Sequence, residues 1–278
     1  MYDGAFPSKL QRAVGELVVS FKRRGEATVL DTLRQAGCLK ARFPRPVTAG
    51  WADATTLNTS GGVASGDRLS TVFSVGPGAR ATMSAQAAER FYRAPADGLP
   101  SFVRTQINVA PGAAAEWLPQ ETILFDNCAL DRQLEIDLAP DAWFLGVEAL
   151  VFGRTAMGET VRNAWLRDGL RVRRGGAWLL HDTIRMDGDV ETTLRRTAAG
   201  KGARAMATVL HVAENAEAMI DPVRDALLDF TGEAGVSAWN GMLVARILAP
   251  DSALLRLGVA AAVSVIRAPR PLPRVWLC

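Results

Sequence analysis

Histidine is nearly missing from this 278-residue chain: it occurs only as His181 and His211. Cysteine is almost as rare, with Cys38, Cys128 and Cys278 far apart and in no paired spacing. An odd, unpaired set is no disulfide framework and points to a reducing compartment. There is no C-x-x-C, no H-E-x-x-H and no pair of histidines at helical or strand spacing, so a transition metal wanting imidazole or thiolate finds few ligands. Lysine is scarce too. Only Lys9, Lys22, Lys40 and Lys201 stand among 32 basic residues, against 29 acidic ones and a formal net charge of +3. The charges are interspersed, so no basic run marks a nucleic-acid surface, and the arginine excess reads as genome composition before partner docking.

Long apolar runs are missing as well. The longest, Leu257 to Ile266, is bracketed by Arg256 and Arg267 and is far short of the roughly 20 residues of a membrane span. The first residues, "MYDGAFPSKLQRAVGELVVSF", lack the charged and apolar regions of a signal peptide. The expected location is the cytoplasm. About half the residues are apolar (49%) and 22% are charged, an ordinary globular composition with enough length for a sizeable core.

What is present begins with a repeat. "FSVGPGARATMSA" around Pro77, "INVAPGAAAEWLP" around Pro111 and "IDLAPDAWFLGVE" around Pro140 share one frame: alternating apolar residues, a small residue, Pro, Gly or Asp, Ala, then a second strand-like run. Proline presets φ at the second position of a β-turn, and Gly or Asp suits the next. Each unit reads as strand, tight turn, strand, at intervals of roughly thirty residues. "RILAPDSALLRL" around Pro250 is a looser fourth copy. Strands are also expected at Leu17–Arg23, Thr28–Leu33 and Leu39–Phe43. The expected fold is mainly β: stacked antiparallel sheets, β-helix-like in their layering, over residues 1–212, then mixed helix and strand over 213–278 of a single domain.

In that last part, "NAEAMIDPVRDALLDF" places Ala216, Met219, Ile220, Val223, Leu227 and Phe230 on one helical face. Pro222 kinks this helix or starts it with Asp221 as cap. "DSALLRLGVAAAVSVIRA" reads as a second helix capped by Asp251, and "SAWNGMLVARIL" as a strand.

The glycine-rich stretch "LNTSGGVASGDRL" (57–69) fits the first half of a phosphate-binding loop from Gly61 to Gly66. Asp67 and Arg68 then stand where that loop needs Lys and Ser or Thr, so it is no nucleotide site. Ser65 is one place too late for a nucleophile elbow. His181, beside Asp182, and His211, in an apolar strand, read as structural, and Cys38 as a buried or spare thiol. The carboxylates Asp67, Glu89, Glu121, Asp126, Glu148 and Glu159 have a plain reading as surface and turn caps. Those beside apolar residues in the repeat strands need a partner if buried, and weak carboxylate sites suit an ion in transit. Glu135 and Asp137 share one strand face, a geometry compatible with acid–base work in a rival reading as a stand-alone hydrolase, but Leu134, Ile136 and Leu138 turn that face outward. A carbohydrate- or protein-binding β module is a third reading.

Five phrases in order, "LNTSGGVASGDRL", "TMSAQAAERFYR", "WLPQETILFD", "VFGRTAMGETV" and "PRVW", resemble the urease accessory protein family called UreD, or UreH. Ala64 and Ser65 depart from the Thr-Gly usual there, while Gly61, Gly62, Gly66, Asp67 and Arg68 match. The resemblance implies a mostly β, non-catalytic scaffold for nickel insertion into apo-urease, with no tightly bound cofactor and nickel in transit. The implied partners are the urease apoprotein, a helical accessory protein (UreF-like) and a GTPase accessory protein (UreG-like), with no nucleic acid and no membrane. The candidate ion path or partner contact comprises Asp67, Glu148 and Glu159 for nickel transit. Gly61, Gly62, Gly66, Asp67, Arg68, Glu89 and Arg154 form the partner-binding or structural motif. Alanine at Asp67 and Glu159 is expected to lower urease activation without unfolding the chain.

Overall fold

The computed structural model describes residues 11–154 and 157–277. The chain opens with a hairpin of β1 (Val14–Arg24) and β2 (Ala27–Gly37), then β3 (Leu39–Arg42) and β4 (Ala52–Asn58). Three coils follow, each stepping from one sheet to the other. They are β5 (Arg68–Val75), β6 (Arg80–Ala85) and β7 (Glu89–Phe91); β8 (Ser101–Val109), β9 (Ala114–Leu118) and β10 (Thr122–Leu124); and β11 (Cys128–Leu138) with β12 (Trp143–Phe152). A hairpin of β13 (Asn163–Arg174) and β14 (Ala177–Asp189) leads to α1 (Val190–Arg195), β15 (Ala205–Val212) and α2 (Ile220–Ala226). The chain ends in the hairpin β16 (Glu233–Trp239) and β17 (Met242–Ala249), then α3 (Ser252–Arg267). Among the described residues no helix is long and apolar enough to cross a membrane.

Two sheets result: a seven-stranded one ordered β14-β13-β11-β8-β5-β1-β2 and a ten-stranded one whose main path is β16-β17-β15-β12-β9-β6-β4-β3. The mainly β, layered expectation holds. Its antiparallel part holds only for β1-β2, β3-β4, β13-β14 and β12-β15-β17-β16; β1, β5, β8, β11 and β13 pair in parallel, as do β4, β6, β9 and β12. The reason lies at the turns. The Pro77, Pro111 and Pro140 turns carry the chain across the gap to the opposite sheet instead of reversing it within one. They stack as corners, with Gly78 N–H donating to Pro111 O (3.1 Å) and Gly112 N–H to Asp141 Oδ2 (3.0 Å). Each return path then starts the next strand in the same direction as the last, the condition for parallel pairing. The fourth copy departs altogether. After Pro250, Asp251 accepts from Leu254 N–H (2.8 Å) and caps α3.

Inward side chains of both sheets form one core, including Leu17, Phe73, Ile107, Leu130, Ile136 and Phe144. The other face of the ten-stranded sheet packs under α2 and α3 through Leu118, Val147, Val209, Val223, Leu243 and Val259. Two expectations in this region need correction. The amphipathic segment is a 3-10 turn at Ala216–Met219 running into α2, with no side-chain cap, so Asp221 caps nothing. Pro222 sits in the first turn of α2, where its missing N–H is not needed. "SAWNGMLVARIL" is a hairpin, not one strand. Asn240 (φ 51°) and Gly241 (φ 70°) both take positive φ, as a type I′ turn requires.

Candidate functional site

Both sheets place charge where their alternation calls for apolar side chains. On β11 the inward series is Leu130, Arg132, Leu134, Ile136; on β13 it is Leu166, Asp168, Leu170. On β12 it is Phe144, Gly146, Glu148, Leu150. Arg132 and Asp168 are direct partners in the parallel register of β11 and β13. Glu148, Thr208 and Arg246 are partners across β12, β15 and β17. Register alone therefore stacks two polar rows face to face across the interior.

They engage there. Arg132 donates from Nε and Nη2 to the two oxygens of Asp168 (2.8 and 2.6 Å) and from Nη1 to Thr122 Oγ1 (2.8 Å). The same Nη1 lies 2.8 Å from Glu148 Oε2. Trp117 Nε1–H donates to Glu148 Oε1 (2.8 Å). Arg246 pairs with Asp182 of β14 and donates to Thr208 Oγ1 (3.0 Å). Burial pushes the Glu148 carboxyl above the ordinary carboxylate range; the Arg132 charge opposes this and Asp168 adds to it.

Two cavities flank the cluster. One, of about 260 Å³, reaches the surface beside the exposed Gln86 and Ala87 and is walled by Glu89, Trp117, Thr122 and Arg132. The other, of about 350 Å³, reaches the surface beside Ala199 and is walled by Asp168, Asp182, Met186 and Arg246. Leu134 and Glu148 wall both. Among the described residues no three of His, Cys, Asp and Glu are gathered as a group able to hold a metal ion; the acidic side chains alternate with arginines.

The predicted residues divide accordingly. Glu148 lies at the centre, and Glu89 faces the smaller cavity, receiving Asn58 Nδ2–H on both oxygens (3.2 Å each), with its carboxyl raised by burial. Asp67 and Glu159 wall neither of these two cavities. Asp67 is buried as an acceptor for Ala13 N–H and Ala64 N–H (2.7 Å each), joining the start of β1 to the glycine-rich loop. Alanine there strands two amides, contrary to a substitution that spares the fold. Glu159 accepts from Arg154 Nε (2.8 Å), which holds its carboxyl below the ordinary range; Arg154 is exposed over the Phe125 ring (4.2 Å), so the pair is a turn salt bridge. Of that motif, Thr155 and Ala156 lie outside the described residues.

The loop itself is structural. Gly61 (φ 77°), Gly62 (φ 146°) and Gly66 (φ 83°) all take positive φ. A Cβ on Gly62 would fall 2.5 Å from the Tyr92 ring, whose hydroxyl donates to Gly61 O (2.6 Å). Arg68 is exposed, 4.7 Å over the Phe102 ring. Residues 167–174 lie in the β13–β14 hairpin. Sequence reasoning missed Arg132, Asp168 and Asp182, although each is a charge at an inward position of an apolar alternation; it also missed Arg246, which is exposed on β17.

Chain-wide comparison decides the family. The UreD urease accessory protein family matches residues 13–277. The chain belongs to this family. Urease accessory protein UreD 3 of Bradyrhizobium sp. (strain BTAi1) is 43% identical over 266 residues, 96% of this chain and 94% of that protein. Urease accessory protein UreD of Methylobacterium sp. (strain 4-46) is 44% identical over 258 residues, 91% of this chain and 90% of its own length. That of Azorhizobium caulinodans is 41% identical over 266 residues, covering 96% and 97%.

The candidate nucleophiles and bases are poorly placed for catalysis. Burial pushes the Cys128 thiol up to about 12 and raises that of Cys38. Glu135 is tied to Arg171 (3.0 Å) on the outer face of β11. His181 is exposed and stacked on Trp178, not enclosed as a structural histidine would be. His211 is buried, with Nδ1 2.9 Å from Phe144 O, and burial lowers its pKa below the ordinary 6.5. As pH falls below 6.5 the unfolded chain takes a proton at this position that the folded chain refuses. Folding stability should therefore fall by up to about 1.4 kcal/mol per pH unit until the folded pKa is reached. Urea melts of His211→Gln against the parent between pH 7 and 5 should show a shallower pH slope in the variant.

Proposed function

We propose that this chain is a non-catalytic scaffold and metallochaperone of urease maturation, and that nickel crosses it between its two sheets on the way to apo-urease. The observation that carries the reading is the pair of cavities meeting at Glu148. Each reaches the surface at a different place, and the carboxylates along them run from Glu89 through Glu148 and Asp168 to Asp182. Oxygen ligands bind a divalent nickel ion less tightly than imidazole or thiolate, which suits release. The partners are the urease apoprotein, the helical UreF-like protein and the UreG-like GTPase, in the cytoplasm, and the two mouths require a partner at each end. The outward face of Glu135 and Asp137, together with the raised thiols, weighs against the hydrolase reading.

The test is co-expression of this chain with urease subunits and both accessory partners, followed by affinity purification and nickel assay of the urease. Co-purification, and loss of nickel when this chain is omitted, supports the reading. Urease that fills with nickel equally well in its absence refutes it.

A further inference from the structure

The Arg132–Asp168 pair lies where the two cavities meet, beside the shared Leu134 and Glu148. Arg132 walls the smaller, Asp168 walls the larger, and the bidentate pair between them closes the joint beside Glu148. Every donor direction of the guanidinium that the cluster uses is taken: both Asp168 oxygens, the Thr122 hydroxyl and the Glu148 carboxylate. A planar fork tied at each of its three nitrogens is held far more firmly than a lysine ammonium would be. An apolar partition such as a leucine would also have closed the space, without placing a cation there.

We propose that Arg132 is the ion gate of the passage, a built-in counter-ion that a travelling divalent cation must replace. The proposal rests on the nickel-transit reading above. In the resting protein the single charge of Arg132 is shared between Glu148 and Asp168, and Asp182 is paired with Arg246. A cation that reaches the joint therefore meets the Arg132 charge set between the two carboxylates. A monovalent cation gains little by exchange, since it brings the same charge and lacks the directional hydrogen bonds of the fork. A divalent cation brings twice the charge in a region of low dielectric, where the difference is largest. In the exchange the cation takes over Glu148 and Asp168, and the guanidinium withdraws into the cavity that it already walls. Glu89 offers it another carboxylate there. No bond is made or broken other than ion contacts and hydrogen bonds, and Arg132 closes the joint again when the cation leaves.

Equilibrium dialysis of the full chain against Ni²⁺ alone tests this, with circular dichroism as the check on folding. Arg132→Gln frees both carboxylates and should bind one Ni²⁺ at least tenfold more tightly than the parent. Adding Glu148→Gln to it should abolish the gain. Arg132→Lys keeps the charge but loses the fork, so it should show a smaller gain, and it keeps the test decisive if the glutamine variant does not fold. Folded variants that bind Ni²⁺ no better than the parent overturn the gate. A tryptophan at Leu134, the wall common to both cavities, separates this failure from that of the passage. If it empties urease of nickel while the Arg132 variants bind as the parent does, the passage stands without a gate. If urease remains filled, both fall.

Discussion

Replacing Glu116 with alanine should destabilise the chain by about 3–5 kcal/mol and lower Tm by on the order of 10 °C. Glu116 of β9 is wholly buried on the helix-covered side of the ten-stranded sheet. It accepts from Thr82 Oγ1 (2.6 Å) and from Arg267 Nε and Nη2 (3.0 Å each), and Arg270 Nη1 lies 2.6 Å from its Oε1. Arg267 ends α3, and Arg270 beyond it lies 3.7 Å over the Trp51 ring. One carboxylate thus anchors the end of the longest helix to the sheet. Its removal leaves two guanidiniums in a desolvated place with no hydrogen-bonded carboxylate, only the charge of Asp53 acting on them from further off, and domain stability is typically only about 5–15 kcal/mol in total. Thermal denaturation followed by circular dichroism measures the shift. A fall of a degree or two would mean that water reaches Arg267 and that the cluster is not sealed. Replacing Glu116 with leucine and Arg267 with methionine together should recover part of the loss, because apolar replacement of a buried ion pair removes its desolvation cost as well.

Leu134→Trp should lower the nickel content of co-expressed urease at least tenfold while leaving the fold intact. Leu134 faces inward from β11 next to Arg132 and walls both inter-sheet cavities. An indole there projects into about 350 Å³ of space on one side, so the usual overpacking cost of about 1–3 kcal/mol is partly avoided. The substitution alters neither net charge nor any carboxylate, so a loss of nickel would come from obstruction. Metal analysis of purified urease, with the Tm of the variant alongside, is the measurement. Urease with its full nickel content beside a folded Leu134→Trp chain would place the ion's route elsewhere.

The layered β architecture was readable because the three Pro-centred corners share a frame, but the strand directions were not. Pro-Gly and Pro-Asp suit a tight turn whether the chain reverses within a sheet or crosses to its neighbour. Only long-range pairing, such as Val72 beside Gln106 and Ile136 beside Ile107, decides between them. Asp67 misled for a similar reason. Its carboxylate serves Ala13, 54 residues away in sequence, and nothing near Asp67 announces that amide. Glu148 was recognisable as a charge among apolar strand residues, and the same pattern marks Arg132 and Asp168. They become a site only once the register of β11 on β13 sets them side by side, which local alternation does not specify. The Asn240-Gly241 pair had the composition of a hairpin turn; it was hidden because apolar runs on both sides read as one strand.

The two sheets that enclose the inter-sheet cavities differ in how they are covered. The ten-stranded sheet is covered on both faces, by the shared core on one and by α2 and α3 on the other. The seven-stranded sheet has its outer face in water, and its edge strand β2 is exposed along most of its length. Local opening needs little free energy where few apolar contacts are broken. Amide hydrogens of β12 and β15 should exchange slowest and those of β2 and β14 fastest. Widening of the space between the sheets is thus a movement of one wall against a fixed one, and a protein that grips the outer face of the seven-stranded sheet holds the wall that moves.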